Sequence, residues 1–541
     1  MLKLKKPVIG AFYRPGHDFS YTVYHPTRDK MYTIELEKLL GIKHFDLRDY
    51  TDKDARAFLK EGIAAFEKYF DIPNDYSLLF FNAPQEKKTY INGVINYDRS
   101  RYVYIDHHDA HLYSAYCQMP FPGAYIFCQD GMGDLINTSY FVGRSRVIPF
   151  PTDKKYRNGT IYNLFASIQP EIDTSTTNKL DLAGKLMGIC AHGKDSAVSR
   201  LISSYIYPDV VTYRTEQELS LSLSGSGKRL EKRLKEEFDV DISKQSLPKT
   251  IAYDIAYGAQ KGFEESTIKN LLQGPGTKFF NSGGKYLVLT GGCALNVLAN
   301  TKIQEKFSNV EVWVPPNPND VGLSIGVVYK GLVDLELSNW NKRYTPITPP
   351  IMDLDSLDMY ETEVVTKTDM IKSIREGKII GLMQGNIELG PRALGNRSIL
   401  CDPSIPGMKD KLNAGVKFRE WFRPFAPVCL ESVADKYFIA PSFKHTSHMS
   451  FVATVRPKYY KELDAVTHVD GTARLQTVTK NSSKFMFDLL TEFKGVLLNT
   501  SLNVQGKPIA NSIEDGYKIL TETALDELYV EKEGILYRIT K

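Results

Sequence analysis

The 541-residue sequence has few cysteines, no long apolar run and little net charge. Its six cysteines include no C-x-x-C pair, which argues against a zinc site or a disulfide framework and predicts buried, reduced thiols. The absence of a membrane-length apolar run and of a signal-peptide core predicts a cytoplasmic protein with no membrane partner. A net charge of +4 is too small to indicate polymeric nucleic acid as the main ligand.

Glycine-punctuated apolar segments alternate with helix-like segments along most of the chain, which predicts an α/β fold in two to four domains. Polar or glycine-rich turns follow the predicted buried strands, and ligands bind at such strand ends in open α/β sheets. The predicted strands are Val8–Phe12, Tyr102–Ile105, Ala124–Cys128, Tyr286–Leu289 and Val310–Val314.

Three prolines in Lys342–Met352 predict a linker, because proline blocks helix and sheet pairing. We therefore divide the chain into a first domain at 1–345, a linker at 346–354 and a second domain at 355–541. A predicted helix at Asp369–Glu376 and a strand at Ile379–Met383 open the second domain. The charged segment Ser226–Lys244 is interpreted as a solvated helix of the first.

Two histidines and nearby acids of the first domain form a candidate metal site. His107 and His111 share one face of a helix start, a spacing that suits a divalent transition metal. Asp130 and Asp134 follow the strand Ala124–Cys128, and Asp320 lies in a proline-rich loop, so these acids could complete the ligand set. The alternative is that the histidines are hydrogen-bonded residues at a helix start.

Glycines at strand ends of the same domain predict close approach of the backbone to an anion. Each turn alone could be ordinary loop punctuation, but several in one domain favour a binding site. The candidates are Gly131 and Gly133 after one strand, and Gly291, Gly292 and Asn296 after another. His17 and Asp18 follow the first strand of the chain as a further polar pair.

The second domain contains five clustered cations, which predict a pocket for a compact phosphate because arginine binds phosphate through two parallel bonds. These cations alternate with Trp421, Phe422 and Phe425, which favours a folded interior over a solvated basic face. Ser501 and Asn503 follow the strand Gly495–Leu498 and add a hydroxyl and an amide. The cations are Arg392, Arg397, Lys417, Arg419 and Arg423.

Seven short motifs together resemble the O-carbamoyltransferases of the NodU and TobZ type. The resemblance runs from about Ile9 to Ile509 and is specific, since a string as long as residues 388–398 is very unlikely by chance. In chain order the motifs are HHDAH at 107–111, DGMGD at 130–134, GKLMG at 184–188, GGCALN at 291–296, ELGPRALGNRS at 388–398, FRPFAP at 422–427 and NTSLN at 499–503.

The resemblance implies a duplicated ASKHA (actin, sugar kinase and Hsp70-like) fold for the first domain and a YrdC-like twisted sheet for the second. It implies that the second domain makes carbamoyl-adenylate from ATP and carbamoyl phosphate. The first domain then transfers the carbamoyl group to a hydroxyl with the help of a metal, typically iron, while Mg²⁺ accompanies ATP.

The resemblance also implies residue roles. Lys417, Arg392 and Arg423 match residues that act on carbamoyl phosphate and the nucleotide phosphates, and His17 matches a residue that orients or deprotonates the acceptor. The implied metal ligands are His107, His111, Asp130 and Asp320. The implied cofactor-binding residues are Arg419, Ser501, Asn503, Arg397, Gly131, Gly133, Gly291, Gly292, Asn296 and Lys185.

The sequence departs from relatives at Ile189–Gly193 and Glu37–His44, which affects acceptor and nucleotide detail in the first domain. Rival functions are an ASKHA-type nucleotide switch, threonylcarbamoyl transfer to tRNA, and carbamoyl transfer to a protein thiol as in hydrogenase maturation. The five cations of the second domain argue against a switch, which needs no carbamoyl phosphate pocket. The small net charge argues against tRNA as the acceptor, and the absence of zinc-finger cysteine pairs argues against the thiol pathway. The expected acceptor is a small-molecule hydroxyl, with a hydroxymethyl-pyrimidine nucleotide as an alternative, and a homodimer is possible.

Overall fold

The structure is a computed structural model of the full chain. It describes residues 6–12, 18–82, 91, 93–97, 102–133, 136–142, 145–147, 158–175, 177–206, 225–242, 247–338 and 341–541. Three large sheets organise these residues, two in the first part of the chain and one in the last.

The first part contains two five-stranded sheets of the same topology. Sheet one has the order β3-β2-β1-β4-β5 and sheet two the order β8-β7-β6-β9-β10. Their strands are β1 (Val8–Phe12), β2 (Ser20–His25), β3 (Lys30–Glu35), β4 (Leu78–Asn82), β5 (Tyr102–Tyr104), β6 (Tyr125–Gly133), β7 (Ile136–Val142), β8 (Ser145–Val147), β9 (Tyr286–Thr290) and β10 (Glu311–Trp313).

In both sheets an antiparallel three-stranded meander precedes two strands that run parallel to its first strand. Thus β1 pairs antiparallel with β2 and parallel with β4, while β6 pairs antiparallel with β7 and parallel with β9. β5 and β10 extend the parallel side of each sheet. This repetition confirms the predicted duplication of the first domain.

Eleven helices are described in this part of the chain. They are α1 (Leu36–Leu40), α2 (Asp52–Phe70), α3 (His107–Gln118), α4 (Asn158–Ser167), α5 (Leu182–Ile189), α6 (Ala197–Ile206), α7 (Gly225–Phe238), α8 (Lys249–Leu271), α9 (Pro275–Asn281), α10 (Val297–Lys306) and α11 (Leu323–Asp334). Helix α3 follows sheet one and packs on sheet two, whereas α11 follows sheet two and packs on sheet one. The two helices pack against each other, so the strand ends of both sheets meet near their N-termini.

The second part is built on an eight-stranded mixed sheet of order β11-β21-β20-β12-β13-β19-β14-β18, with a small sheet β15-β16-β17. Its strands are β11 (Thr362–Val365), β12 (Ile380–Met383), β13 (Arg397–Cys401), β14 (Ala426–Leu430), β15 (Phe438–Ile439), β16 (Val452–Val455), β17 (Thr472–Arg474), β18 (Gln476–Val478), β19 (Leu497–Ser501), β20 (Glu527–Lys532) and β21 (Ile535–Ile539). Its helices are α12 (Lys367–Arg375), α13 (Met408–Leu412), α14 (Ala434–Tyr437), α15 (Lys484–Phe493) and α16 (Ile513–Glu522).

The predicted strand at Tyr102–Ile105 exists, but the prediction that it is buried was wrong. Strand β5 is the edge of sheet one, and Tyr102 and Tyr104 are 37% and 45% exposed. Val103 between them packs on the core. The segment therefore alternates outward and inward residues, as a strand with one face in solvent must.

The proline-rich segment is ordered against sheet one. Ile347 accepts a backbone hydrogen bond from Thr33 and donates one to Met31, so it pairs with β3 in spite of the nearby prolines. The expectation that proline prevents sheet pairing was wrong at this residue, because Ile347 keeps its own N–H. The boundaries at 346–354 stay a prediction.

Among the residues that the structure describes, no helix combines the length and the apolar character needed to cross a bilayer. The six cysteines are all free, and five of them are buried, with Cys293 half-buried. The charged segment beginning at Ser226 forms most of α7, on which Leu230 and Leu234 are buried.

Candidate active site

Helix α3 begins at the first histidine of the predicted metal pair. The side chain of Asp106 caps it by accepting hydrogen bonds from the backbone N–H groups of His108 and Asp109. This cap fixes the first turn, where side chains four residues apart share one face. His107 and His111 therefore point the same way, with ring centroids 4.8 Å apart.

The two histidines lie close to Asp130 and Asp320, whereas Asp134 lies outside the described residues. His107 Nε2 lies 3.1 Å from Asp130 Oδ2 and 3.8 Å from Asp320 Oδ1. His111 Nε2 lies 4.0 Å and 3.3 Å from the same two oxygens. All four residues are buried, and their potential ligand atoms lie within 4.8 Å of one another.

A bulge in sheet two places Asp130. The register between β6 and β7 shifts between Gln129 and Gly133, and the carboxylate lies at that irregularity. Burial opposes the ionised form, but the hydrogen bond with His107 and the charge of His111 hold the pKa of Asp130 well below its usual range. Its second oxygen accepts a hydrogen bond of 2.9 Å from the N–H of Gly292.

The donor set fits a divalent transition metal. Nitrogen and oxygen ligands bind zinc at about 2.0–2.2 Å, so two donors on one ion are at most about 4.4 Å apart. The four separations of 3.1 to 4.0 Å satisfy that limit. Two imidazoles with carboxylates suit iron, zinc, copper and nickel.

The neighbouring His108 is turned away from this cluster, since its Nδ1 is 2.7 Å from Ser139 Oγ. His17 lies outside the described residues, and its predicted role stays a prediction. Asp18, the next residue along the chain, accepts a hydrogen bond of 2.9 Å from Asn319, which precedes the candidate ligand Asp320.

The glycine turns surround the same cluster. Gly291 has φ +86°, and an added Cβ would lie 2.2 Å from the carbonyl oxygen of Gln129, so only glycine fits between the two strand ends. Gly131 packs closely against Gly159, while Gly133 ends β6. Asn296 caps α10 and hydrogen-bonds Gln260, a structural role within the described contacts.

In the second unit, Lys417 is the centre of the predicted phosphate pocket. Its ammonium group donates to the backbone oxygens of Ser501 and Asn503, each at 2.8 Å, and to both of their side chains. Burial, followed by the charges of Arg419 and Arg423, lowers the pKa of Lys417 well below its usual range. The structure therefore brings these five predicted residues together.

Arg392 belongs to the same group of cations. Burial and the neighbouring charge of Arg423 lower its pKa to about 10. Burial and Arg423 likewise lower the pKa of Arg419. Arginine keeps its proton in proteins, so these directions indicate crowded positive charge that a bound anion would relieve.

Arg474 at the end of β17 is a member of this cation group that the sequence analysis did not identify. Burial and the charges of Arg392, Arg419 and Arg423 lower its pKa well below the usual range. In the sequence this arginine stands between two apolar residues, Ala473 and Leu475, a pattern that is ordinary for a strand and gives no signal of a binding role. We define the cation cluster as Arg392, Lys417, Arg419, Arg423 and Arg474.

Arg397 lies outside the cation cluster. Its side chain is fully buried and donates to the carbonyl oxygens of Gln384 and Gly385 at 2.7 and 3.1 Å. Because most of its hydrogen bonds go to backbone oxygens, the position favours a structural role, and the contact with nucleotide stays a prediction.

Lys185 joins the two units. It pairs with Glu420, which stands between Arg419 and Arg423, and it donates to Thr177 at 2.6 Å. The ammonium group of Lys185 therefore forms a contact between the two units, and its role in binding a cofactor stays a prediction. Trp421 is 50% exposed, so the expectation that it lies in the interior was wrong, whereas Phe422 is buried.

The fold and the site together define a protein of two units, one with duplicated five-stranded sheets and a cluster of candidate metal ligands, the other with an eight-stranded mixed sheet and a group of cations. The sequence matches the family described as "Carbamoyltransferase N-terminus" over residues 22–328 and "Carbamoyltransferase C-terminus" over 371–536. The chain belongs to this NodU-type carbamoyltransferase family and is a carbamoyltransferase.

The chain is also similar to several known proteins. Nodulation protein NolNO of Sinorhizobium fredii is 30% identical, with 93% of this chain and 73% of that protein aligned. Nodulation protein U of Rhizobium tropici is 37% identical over 42% of this chain and 40% of that protein. Among solved structures, HypF of T. kodakarensis is similar with a TM-score of 0.33 and 14% identity, covering 61% of this chain and 48% of that one.

Proposed function

We propose that the protein is an ATP-dependent O-carbamoyltransferase that makes carbamoyl-adenylate in its second unit and transfers the carbamoyl group to a hydroxyl in its first. The observation that carries the proposal is the cation cluster in a chain whose family transfers carbamoyl groups. Crowded cations that are partly buried and repel one another favour a multiply charged anion. Carbamoyl phosphate and the triphosphate of ATP are such anions.

Activation would proceed in two balanced steps. Carbamoyl phosphate and water give carbamate and phosphate, and a carbamate oxygen then attacks the α-phosphorus of ATP with release of pyrophosphate. Negative charge develops on the departing phosphate groups, and preorganised cations stabilise it. Arg392, Arg423 and Arg474 would serve this purpose, and Mg²⁺ would accompany ATP.

Lys417 is held by Ser501 and Asn503, so its ammonium group is fixed before any ligand arrives. Preorganisation of this kind removes a reorganisation cost from the reaction. We assign Lys417 to orienting the phosphates between the loop after β19 and the other cations. Arg419 hydrogen-bonds Asn413 and Pro424 and supports that geometry.

For transfer, His107, His111, Asp130 and Asp320 would hold a divalent metal, which we propose to be iron. A bound metal of this kind supplies Lewis acidity to a carbonyl oxygen. The four ligands would orient the carbamoyl group, and burial of the cluster would exclude water. His17 is our candidate for orienting or deprotonating the acceptor, which we propose to be a small-molecule hydroxyl.

The test is pyrophosphate release that depends on carbamoyl phosphate. We expect Arg392→Ala to abolish it, because the variant loses a cation of the cluster, and His107→Ala to preserve it while losing bound metal. The matched control is Arg375→Ala, which removes a half-exposed arginine of the same unit. Absence of carbamoyl phosphate-dependent pyrophosphate release from the wild type would instead favour a nucleotide switch, and full activity of Arg392→Ala would contradict the assigned pocket.

A further inference from the structure

Two charged side chains of the first unit hold the loop that carries Arg392. Lys38 on α1 donates to the carbonyl oxygens of Glu388 and Gly390 at 2.6 and 2.7 Å. Glu35 at the end of β3 accepts a hydrogen bond of 2.7 Å from the N–H of Gly390. Lys38 and Glu35 also pair with each other at 2.9 Å.

This pair is buried and fully engaged. The side chains of Lys38 and Glu35 are 5% and 4% exposed. The three ammonium protons of Lys38 match three acceptors, Glu35 and the two carbonyl oxygens of the loop. A buried ion pair of this kind contributes little net stability, but its geometry is strict because any unpaired charge would be costly.

Glu388, whose carbonyl oxygen accepts from Lys38, also organises the rest of the loop through its side chain. The carboxylate of Glu388 accepts hydrogen bonds from the backbone N–H groups of Leu394, Asn396 and Arg397, at 2.7 to 3.0 Å. Arg392 lies between Glu388 and these three donors. Its backbone is therefore enclosed in a turn whose start is fixed by the first unit.

The opposite side of the loop touches the segment that leads to the metal ligand Asp320. Gly390 has φ +91°, and an added Cβ would lie 2.2 Å from the carbonyl oxygen of Pro316 and 3.1 Å from Asn317 Cα. Three residues after Asn317 comes Asp320, and two residues after Gly390 comes Arg392. The two candidate centres are thus joined by direct backbone contact at Gly390.

We propose that the Glu35–Lys38 pair is a positioning device that couples activation to transfer by holding the Arg392 loop against the Asp320 loop. This inference rests on the proposed function. With the pair in place, the activated carbamoyl group passes between the units without meeting water. Without it, carbamoyl-adenylate reacts with water to give AMP and carbamic acid, which decomposes to ammonia and carbon dioxide.

The experiment measures this leak in the full-length protein with ATP and carbamoyl phosphate and without any acceptor. The wild type is expected to release a burst of pyrophosphate and then ammonia slowly. Lys38→Met should keep the burst, while steady ammonia release rises about tenfold, since small displacements between reacting groups have large effects on rate. The matched control is Lys302→Met, which removes an equivalent but exposed pair with Glu305.

A second variant, Glu35→Met with Lys38→Met, removes both charges and leaves no unpaired charge in the interior, so it should fold even if the single variant does not. It should show the same leak. Ammonia release at the wild-type rate in both variants would overturn the inference, as would loss of the burst in both. A wild type that gives no burst dependent on carbamoyl phosphate would overturn the proposed function itself.

Discussion

Replacement of Gly326 by alanine should disturb the candidate metal centre from outside it. Gly326 is where α11 crosses α3, and an added Cβ would lie 1.8 Å from the carbonyl oxygen of Ala110 and 2.8 Å from the backbone nitrogen of Ser114. Ala110 stands between His107 and His111 on α3. The obstacle is backbone, so no side-chain rotation can relieve it.

The size of the effect follows from the distance. A carbon and a carbonyl oxygen normally approach to about 3.5 Å, so the two helices must separate by over about 1.5 Å. Overpacking of this kind costs about 1–3 kcal/mol, and better helix propensity of alanine returns about 0.5–1 kcal/mol. We expect a net loss of about 1 kcal/mol. The same displacement exceeds the few tenths of an ångström that metal–ligand distances tolerate.

The assay combines thermal unfolding with metal content measured after dialysis against a weak chelator. Gly326→Ala should unfold at a lower temperature and lose its metal sooner than the wild type. The control is Gly123→Ala, where an added Cβ meets nothing within 4 Å. A Gly326→Ala protein with wild-type stability and metal retention would refute both the helix contact and its role in placing the ligands.

Three further predictions concern charge and capping. Without ligand, Arg474→Met should melt at a higher temperature than the wild type, because repulsion among the crowded, partly buried cations is relieved. Added pyrophosphate should raise its melting temperature less than that of the wild type, and equal increases would exclude Arg474 from the pocket. Burial opposes ionisation of Glu311, but contacts with His445 and Lys444 hold its pKa below the ordinary 4.5. Ionised Glu311 therefore stabilises the fold above about pH 4.5, and this stabilisation is lost on acidification. The difference in stability between the wild type and Glu311→Gln, about 1 kcal/mol or less at neutral pH, should therefore shrink in acid, as measured by thermal unfolding. Asp106→Ala removes the cap of α3 and should cost about 1 kcal/mol by thermal unfolding, whereas no loss would show that packing alone fixes the histidines.

Continuous apolar runs in the sequence predicted the bounds of several strands to within one residue. Val8–Phe12 was predicted with its observed bounds, and Tyr286–Leu289 is one residue short of β9. Burial on both faces produces such runs, so they are visible in sequence. The meander strands β2 and β7 have no such signal, because they contain the buried polar residues Ser20, Thr22 and Thr138. The duplication was therefore anticipated through family resemblance and not through periodicity.

The candidate site was predictable where its residues stand in short motifs. The spacing of His107 and His111 places them together through helix geometry alone. Asp320 was found because it follows a proline-rich loop. Arg474 was missed because its partners approach from distant loops, and its own surroundings resemble an ordinary strand. The predicted role of Arg397 stays a prediction, since a motif shows which residues occur together but not which of them turn inward.

The contacts between the two units could not be predicted from any local sequence pattern. Lys38 and Glu35 read as charged residues beside a short helix, and their burial depends on carbonyl oxygens about 350 positions later in the chain. The cost of burying both charges is offset only when Glu388 and Gly390 supply the remaining partners. This dependence makes the pair sensitive to the relative placement of the two units. Any movement that separates the units would expose the pair to water and release the Arg392 loop, so the same contact that orients activation would also report whether the two units are closed.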